Sequence, residues 1–304
     1  MRSELLLVGA IVLVFAGSLA LKKRMAPESN APPMSSRMPE RILSTAPSIT
    51  ETLYALGCGD RVVGVTRYCQ YPPEVAKKPR IGGLHDANYE ALVALRPDMV
   101  VMLAETERMR PLLERLGLRT LAVPFRTAED ILESIPKVGR ACGAETTARQ
   151  IVADIRARIA RVRRKTQGLA RPRVMVAIER RLGTGRLENV YTAGPGGYFD
   201  ALIDMAGGQN ACQEGKVRTP LVSAEGILGM NPQVVIELVS ERTAPGYTDA
   251  QILADWQQLP QIEAVKTERV HVVREDFAFI PGPRFVLLVE KLARLLHPEV
   301  AWEP

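Results

Sequence analysis

The 304-residue chain is short of the residues that most often carry chemistry: three histidines, four cysteines, two tryptophans, and aromatics at only 5%. The histidines (85, 271 and 297) are too scattered for a short ligand motif, and the cysteines (58, 69, 142 and 212) form no CxxC pair. Zinc-site spacing is therefore absent. No GxSxG, HExxH or P-loop occurs, which removes the usual starting points for hydrolytic and nucleotide chemistry. Neither sign of charge dominates, with 40 Lys+Arg against 34 Asp+Glu. At 46% apolar and 24% charged residues, the composition excludes a disordered, collagen-like or disulfide-dense chain.

What charge there is sits unevenly. Residues 137–173 hold eleven basic and two acidic residues, a local +9, so the rest of 41–304 sums to −5. Arginine supplies 31 of the 40 basic residues, a bias that suits bidentate carboxylate recognition. The basic stretch has no interleaved aromatics, so nucleic acid is not an expected partner.

From Leu5 to Leu21 the chain carries no charge. Seventeen apolar or small residues fit either a secretory signal or a membrane anchor at the short limit of about 20 residues. Lys22-Lys23-Arg24 follows, a cluster that prefers the cytoplasmic side. No cysteine follows closely, which argues against a lipid-anchored form. Residues 1–24 are thus a signal peptide or N-terminal anchor, and 25–40 a Pro/Ser-rich linker.

Residues 41–135 alternate short β-rich runs with helical patterns, the mark of an α/β lobe with parallel strands. Strands are expected at 41–44, 61–65, 98–103 and 119–123, with helices from Pro47, Asn88 and Arg108. The second half, 169–304, repeats the scheme. Glu90-Ala-Leu-Val-Ala-Leu-Arg-Pro97 aligns without gaps on Glu225-Gly-Ile-Leu-Gly-Met-Asn-Pro232, each followed by an apolar strand. Such an internal echo implies two lobes of similar build. Between them, 136–168 reads as one long helix with an apolar stripe at Ala148, Ile151, Val152, Ile155, Ile159 and Val162. It would span roughly 40 Å or more and hold the lobes apart, with a ligand cleft between them.

The wording of particular segments adds to this. Thr45-Ala-Pro-Ser48-Ile-Thr-Glu51, Arg67-Tyr68-Cys-Gln-Tyr71-Pro-Pro73, Gly82-Gly83, Gly207-Gly208-Gln-Asn210, Ser223-Ala-Glu225 and Pro281-Gly-Pro-Arg284 occur in order. In that order they resemble the helical-backbone (class III) periplasmic binding proteins, the substrate-binding components of ABC importers for cobalamin, ferric siderophores and haem. The resemblance covers about residues 41–298. It implies two α/β lobes joined by one backbone helix, no catalysis and no resident cofactor, the ligand itself being a metal chelate. It also implies a monomer that delivers its ligand to a permease dimer with ATPase subunits, outside the cytoplasm. Residues 5–21 would touch the membrane if uncleaved.

On this resemblance the cleft residues are Ser48, Arg67, Tyr68 and His85 from the first lobe, with Phe125 and Arg126 further candidates. From the second come Arg180, Tyr198, Arg218, Asp276, Phe277 and Arg284. Aromatic faces beside arginines suit a bulky, partly apolar chelate. Glu90 and Glu225 occupy the family's permease-docking positions; as first-turn carboxylates they also offset a helix dipole. Gln70 stands where the family often has an acid, and tryptophans that line the cleft of cobalamin binders are replaced here by His85, Leu103 and Thr219. The Arg-Tyr-Cys-Gln-Tyr-Pro-Pro wording nevertheless leans to a corrinoid, with a ferric siderophore next. A membrane-tethered sensor for the same ligands, and a chelate-processing enzyme, are the alternatives.

Overall fold

Strand β1 (Ile42–Ser44) is fully buried and runs straight into Pro47, whose fixed φ starts helix α1 (Pro47–Ala55) at its first turn. Ile49 and Leu53 bury one face of α1, and Gly57, with φ of +75°, ends the turn beyond it. In the computed structural model, which describes residues 38–83, 86, 88–240 and 244–302, the alternation continues through the first lobe. It comprises β2 (Val62–Val65), α2 (Tyr89–Ala94), β3 (Met99–Leu103), α3 (Arg110–Arg115) and β4 (Arg119–Val123). The four strands form one parallel sheet in the order β2-β1-β3-β4. The apolar run 5–21 and His85 lie outside the described residues. No helix among the described residues is long and apolar enough to cross a membrane.

The link between lobes differs from the single helix expected over 136–168. Helix α4 (Ala128–Cys142) begins earlier, at a Thr127–Asp130 capping box, and contains Pro136. Gly143 closes it in the left-handed region (φ +68°), and α5 (Glu145–Thr166) then crosses back over it. A Cβ at Gly139 would collide with that of Ala148, so glycine permits the close crossing. The amphipathic pattern runs through the break, which is why periodicity alone joins the two helices. Among the described residues the chain passes from one lobe to the other through α5. Its 22 residues span about 33 Å, with Ala148, Ile155, Ile159 and Val162 buried and the arginines outward.

The second lobe has β5 (Arg173–Glu179), β6 (Val190–Thr192), α6 (Tyr198–Met205), β7 (Gln209–Asn210) and β8 (Leu221–Val222). It continues with α7 (Ala224–Met230), β9 (Val234–Leu238), α8 (Asp249–Trp256), α9 (Glu263–Lys266), β10 (Val270–Val273) and α10 (Phe285–Leu296). Its sheet runs β10-β9-β5-β6-β8, with β7 also on β5. It is parallel at β10, β9, β5 and β7, but antiparallel at β6 and β8. The all-parallel expectation therefore holds for the first lobe only.

The internal echo extends to the backbone. Asn88 and Ser223 cap α2 and α7 through their side chains, and Glu90 and Glu225 sit in the first turns. Arg96 and Asn231, each just before the aligned proline, adopt left-handed φ values of +45° and +40°. A residue before proline is kept out of the right-handed helical region, so each helix stops there and β3 or β9 follows.

Candidate ligand cleft between the lobes

In an open α/β sheet ligands collect at the carboxyl ends of the strands, and that is where a cavity of about 930 Å³ opens. Thr45–Ser48 enter it after β1, Thr66 and Tyr68 after β2, Leu103, Glu105 and Thr106 after β3, and Phe125-Arg126 after β4. Asp86 completes the first wall, and Phe279–Pro281, beyond β10, supply the opposite one. Of the residues expected from sequence, Ser48, Tyr68, Phe125 and Arg126 line this cavity. Sequence reasoning missed Thr45, Thr66, Asp86, Glu105 and Thr106, of which all but Asp86 stand just past a strand.

The lining carries two carboxylates, Asp86 and Glu105, and one cation, Arg126, while Arg67, expected in the cleft, stands behind Asp86 and does not line the cavity. Asp86 pairs with Arg67, whose guanidinium also lies 5.9 Å from the Tyr68 ring centre, and Glu105 sits 3.5 Å from Arg126. The Asp86 carboxylate rests where a side chain at Gly83 would stand, which explains the glycine there. No cationic lining residue among those described lacks a carboxylate partner. Thr45 lines the cavity, and its hydroxyl is buried with no hydrogen-bond partner among the described residues; Phe125, Phe279, Ile280 and Pro281 make the apolar part of the wall.

Arg284 is engaged across the lobes rather than offered to the cleft. Its Nε and Nη2 donate to both carboxylate oxygens of Glu51 on α1 (3.0 and 2.6 Å), and Nη1 and Nη2 to both of Asp276 (2.9 and 2.8 Å). Its guanidinium stacks 3.6 Å from the centre of the Tyr71 ring. Burial raises the Glu51 carboxyl above its ordinary pKa despite the arginine, whereas the Arg284 hydrogen bonds hold Asp276 below its own. Beside them Gly282 passes so close that a Cβ would sit 3.1 Å from Glu51 Oε2 and 3.5 Å from Ser48 Cα.

The remaining expected contacts lie elsewhere. Arg180 is wholly buried, its side chain 0% exposed between Glu237 (3.0 Å) and Asp255 (2.7 Å), with Trp256 Nε1 donating to Glu237 (2.8 Å). An interior ion cluster consumes it. Tyr198 packs edge-on to Phe199 with its hydroxyl buried and unpartnered among the described residues; burial raises its pKa, and Glu51 adds to the shift. Phe277 packs on the main core. Arg218 is exposed, its carbonyl accepting the Gly194 N–H, so the Gly194–Gly197 segment is a backbone-packed turn. None of these four lines the cavity. Glu90 and Glu225 are exposed, and three residues on from each stands an exposed aliphatic, Val93 (45%) and Leu228 (38%).

Comparison with known proteins agrees with this architecture. The chain matches the family described as "Periplasmic binding protein" over residues 42–277. It is 30% identical over 270 residues to an uncharacterised ABC transporter substrate-binding lipoprotein, YvrC, of Bacillus subtilis, covering 86% of this chain and 81% of that one. It is 27% identical to a vitamin B12-binding protein of Pectobacterium carotovorum, covering 85% and 89%. Among solved structures, a periplasmic haem-binding protein, BhuT, in complex with two haems superposes with a TM-score of 0.73 at 25% identity, over 86% of this chain and 99% of that one. Two lobes, one linking helix and a match across most of the length place the chain in the periplasmic binding protein family.

Proposed function

We propose that this chain is the substrate-binding component of an ABC importer, that it captures a corrinoid in the inter-lobe cleft, and that it hands the ligand to a membrane permease. The charge balance of the cleft carries the ligand choice. Haem propionates and catecholate siderophores bring carboxylate or phenolate charge that needs cationic partners, and the described cleft cations are already matched by Asp86 and Glu105. A corrinoid presents neutral amides and apolar edges, which suit hydroxyls such as Thr45, Ser48 and Thr66 set among Phe125, Phe279 and Ile280. The same balance makes a neutral ferric hydroxamate the second reading. The vitamin B12-binding relative supports the first.

Delivery rests on Glu90 and Glu225. Each is an exposed carboxylate on a capped helix, three residues from an exposed aliphatic, and the arrangement is repeated on both lobes. A paired patch of that kind fits a partner with two-fold related arginines, with charge governing orientation and encounter rate. The protein works outside the cytoplasm, residues 5–21 acting as leader or anchor.

Calorimetric titration of residues 39–304 with cobalamin, a ferric trihydroxamate, haem and a ferric triscatecholate tests the ligand reading. Cobalamin binding at about micromolar or tighter, with haem and catecholate far weaker, is expected; the reverse order overturns it. Glu90→Arg with Glu225→Arg should abolish uptake in cells while leaving cobalamin binding intact. Unchanged uptake would favour a tethered sensor over an importer.

A further inference from the structure

Two buried thiols meet where the first lobe hands the chain to the connecting helix α5. Cys58 follows Gly57 just beyond α1, and Cys142 ends α4 one residue before Gly143. They are 1% and 0% exposed. One nitrogen, Arg61 Nη2, lies within hydrogen-bond distance of the Cys58 sulfur and of the Cys142 carbonyl, which sets the two residues side by side. Arg61 grips both residues: Nη2 donates to Cys58 Sγ (2.9 Å), and Nη1 and Nη2 to the Cys142 carbonyl (3.0 Å each). Neither cysteine lines the cleft. The other two are placed differently. Cys69 hydrogen-bonds the Thr50 and Thr66 hydroxyls at 3.1 Å, and Cys212 is buried in the second lobe.

We propose that Cys58 and Cys142 join as a disulfide in the mature protein, which ties the end of α1 to the start of α5. The proposal rests on the extracytoplasmic location put forward above, where thiols meet oxidants. In the folded arrangement the neighbouring Cys142 thiol, and then the Arg61 charge, hold the Cys58 thiol down to about 7. During folding or local opening it attacks one sulfur of an oxidising disulfide, a small-molecule or protein dithiol carrier. The carrier's S–S bond breaks and one carrier thiolate leaves. Cys142 then loses its proton and attacks the Cys58 sulfur, forming the Cys58–Cys142 bond and releasing the second carrier sulfur. Two protons and two electrons pass to the carrier, which ends as a dithiol.

The bond matters for the cleft because α1 carries Ser48 and Glu51 at its cleft-facing end. Gly282 and Arg284 already hold that end. The disulfide fixes the other end against the linker, and so sets the angle at which the first wall leaves α5. It also closes a loop spanning most of the first lobe, which restricts the unfolded chain strongly.

The full chain, unfolded and refolded in a glutathione redox buffer at about pH 8, then alkylated, gives the test by intact mass and peptide mapping. One bond joining Cys58 to Cys142 is expected, with Cys69 and Cys212 alkylated. The thermal midpoint of the oxidised protein should lie roughly 10 °C above that of the reduced one. Cys58→Ser and Cys142→Ser should each remove both the bond and its sensitivity to reductant. Four alkylated cysteines, or a bond between any other pair, overturn the proposal. Ligand plays no part in this readout. A failed cobalamin titration with the bond present therefore counts against the ligand reading alone, and a successful one with four free thiols counts against the disulfide alone.

Discussion

Arg284 of the second lobe makes a bidentate pair with Glu51 of the first, at 2.6 and 3.0 Å, while its other face lies on Tyr71 and its far edge binds Asp276. The carboxylate is 3% exposed and the guanidinium 15%. Removing one partner therefore leaves the other charge buried and unmatched. Arg284→Ala should lower stability by about 3 kcal/mol, read by chemical denaturation, and Glu51→Gln by less because the amide still accepts hydrogen bonds. An arginine serving only as a ligand contact would show the opposite profile, with affinity lost and stability kept.

The interior cluster around Arg180 makes a second prediction, of the converse kind. Arg180→Met strips Glu237 and Asp255 of their shared cation, and burial already raises Glu237 above its ordinary pKa. A loss of about 3–5 kcal/mol is expected, with cobalamin affinity of the folded protein unchanged. A large loss of affinity at full stability would return Arg180 to the cleft.

Asp276 gives the pH dependence of the cross-lobe contact. Its pKa is held below the ordinary aspartate value by Arg284, so the folded state releases this proton more readily than the unfolded chain does. The stability it contributes is complete above the ordinary aspartate pKa and is lost as pH falls through the lowered one. Thermal midpoints of the wild type and Asp276→Asn should differ at neutral pH and converge once pH falls below the lowered value. The side chain is 54% exposed, so the gap corresponds to less than about 1 kcal/mol and shrinks in high salt.

Thr45 separates ligand chemistry from folding. The residue lines the cleft, and its buried hydroxyl has no partner among the described residues. Thr45→Val keeps the shape and removes the unsatisfied oxygen, so the unliganded protein should gain up to about 1 kcal/mol. Cobalamin affinity should fall by about fivefold to tenfold through loss of one hydrogen bond. Calorimetry beside denaturation checks both signs.

Much of the scaffold was legible because short strands and helices alternate with clear punctuation. Arg119–Val123 was read to the residue, and the Glu-to-Pro echo located α2, α7 and the strands after them. The break at Gly143 was hidden because one amphipathic stripe crosses it, and β6 and β8 were too short to announce their direction. Within the site, Ser48 and Tyr68 stood out through motif wording, whereas Thr45, Thr66, Asp86 and Glu105 look ordinary in one dimension. Arg180 and Arg284 misled for a shared reason: charge recognised in sequence carries no sign of the carboxylates that fold against it.

The first lobe surrounds the cavity from four strand ends, while among the described residues the second contributes Phe279–Pro281. Recognition is therefore lopsided. On the proposed ligand reading, most contacts to the ligand fall on one lobe, with the second closing only the apolar side of the seat. Loops after β1 to β4 can then change what is carried without touching the Glu51–Arg284 contact that joins the lobes, so specificity and lobe pairing are free to evolve on separate parts of the chain.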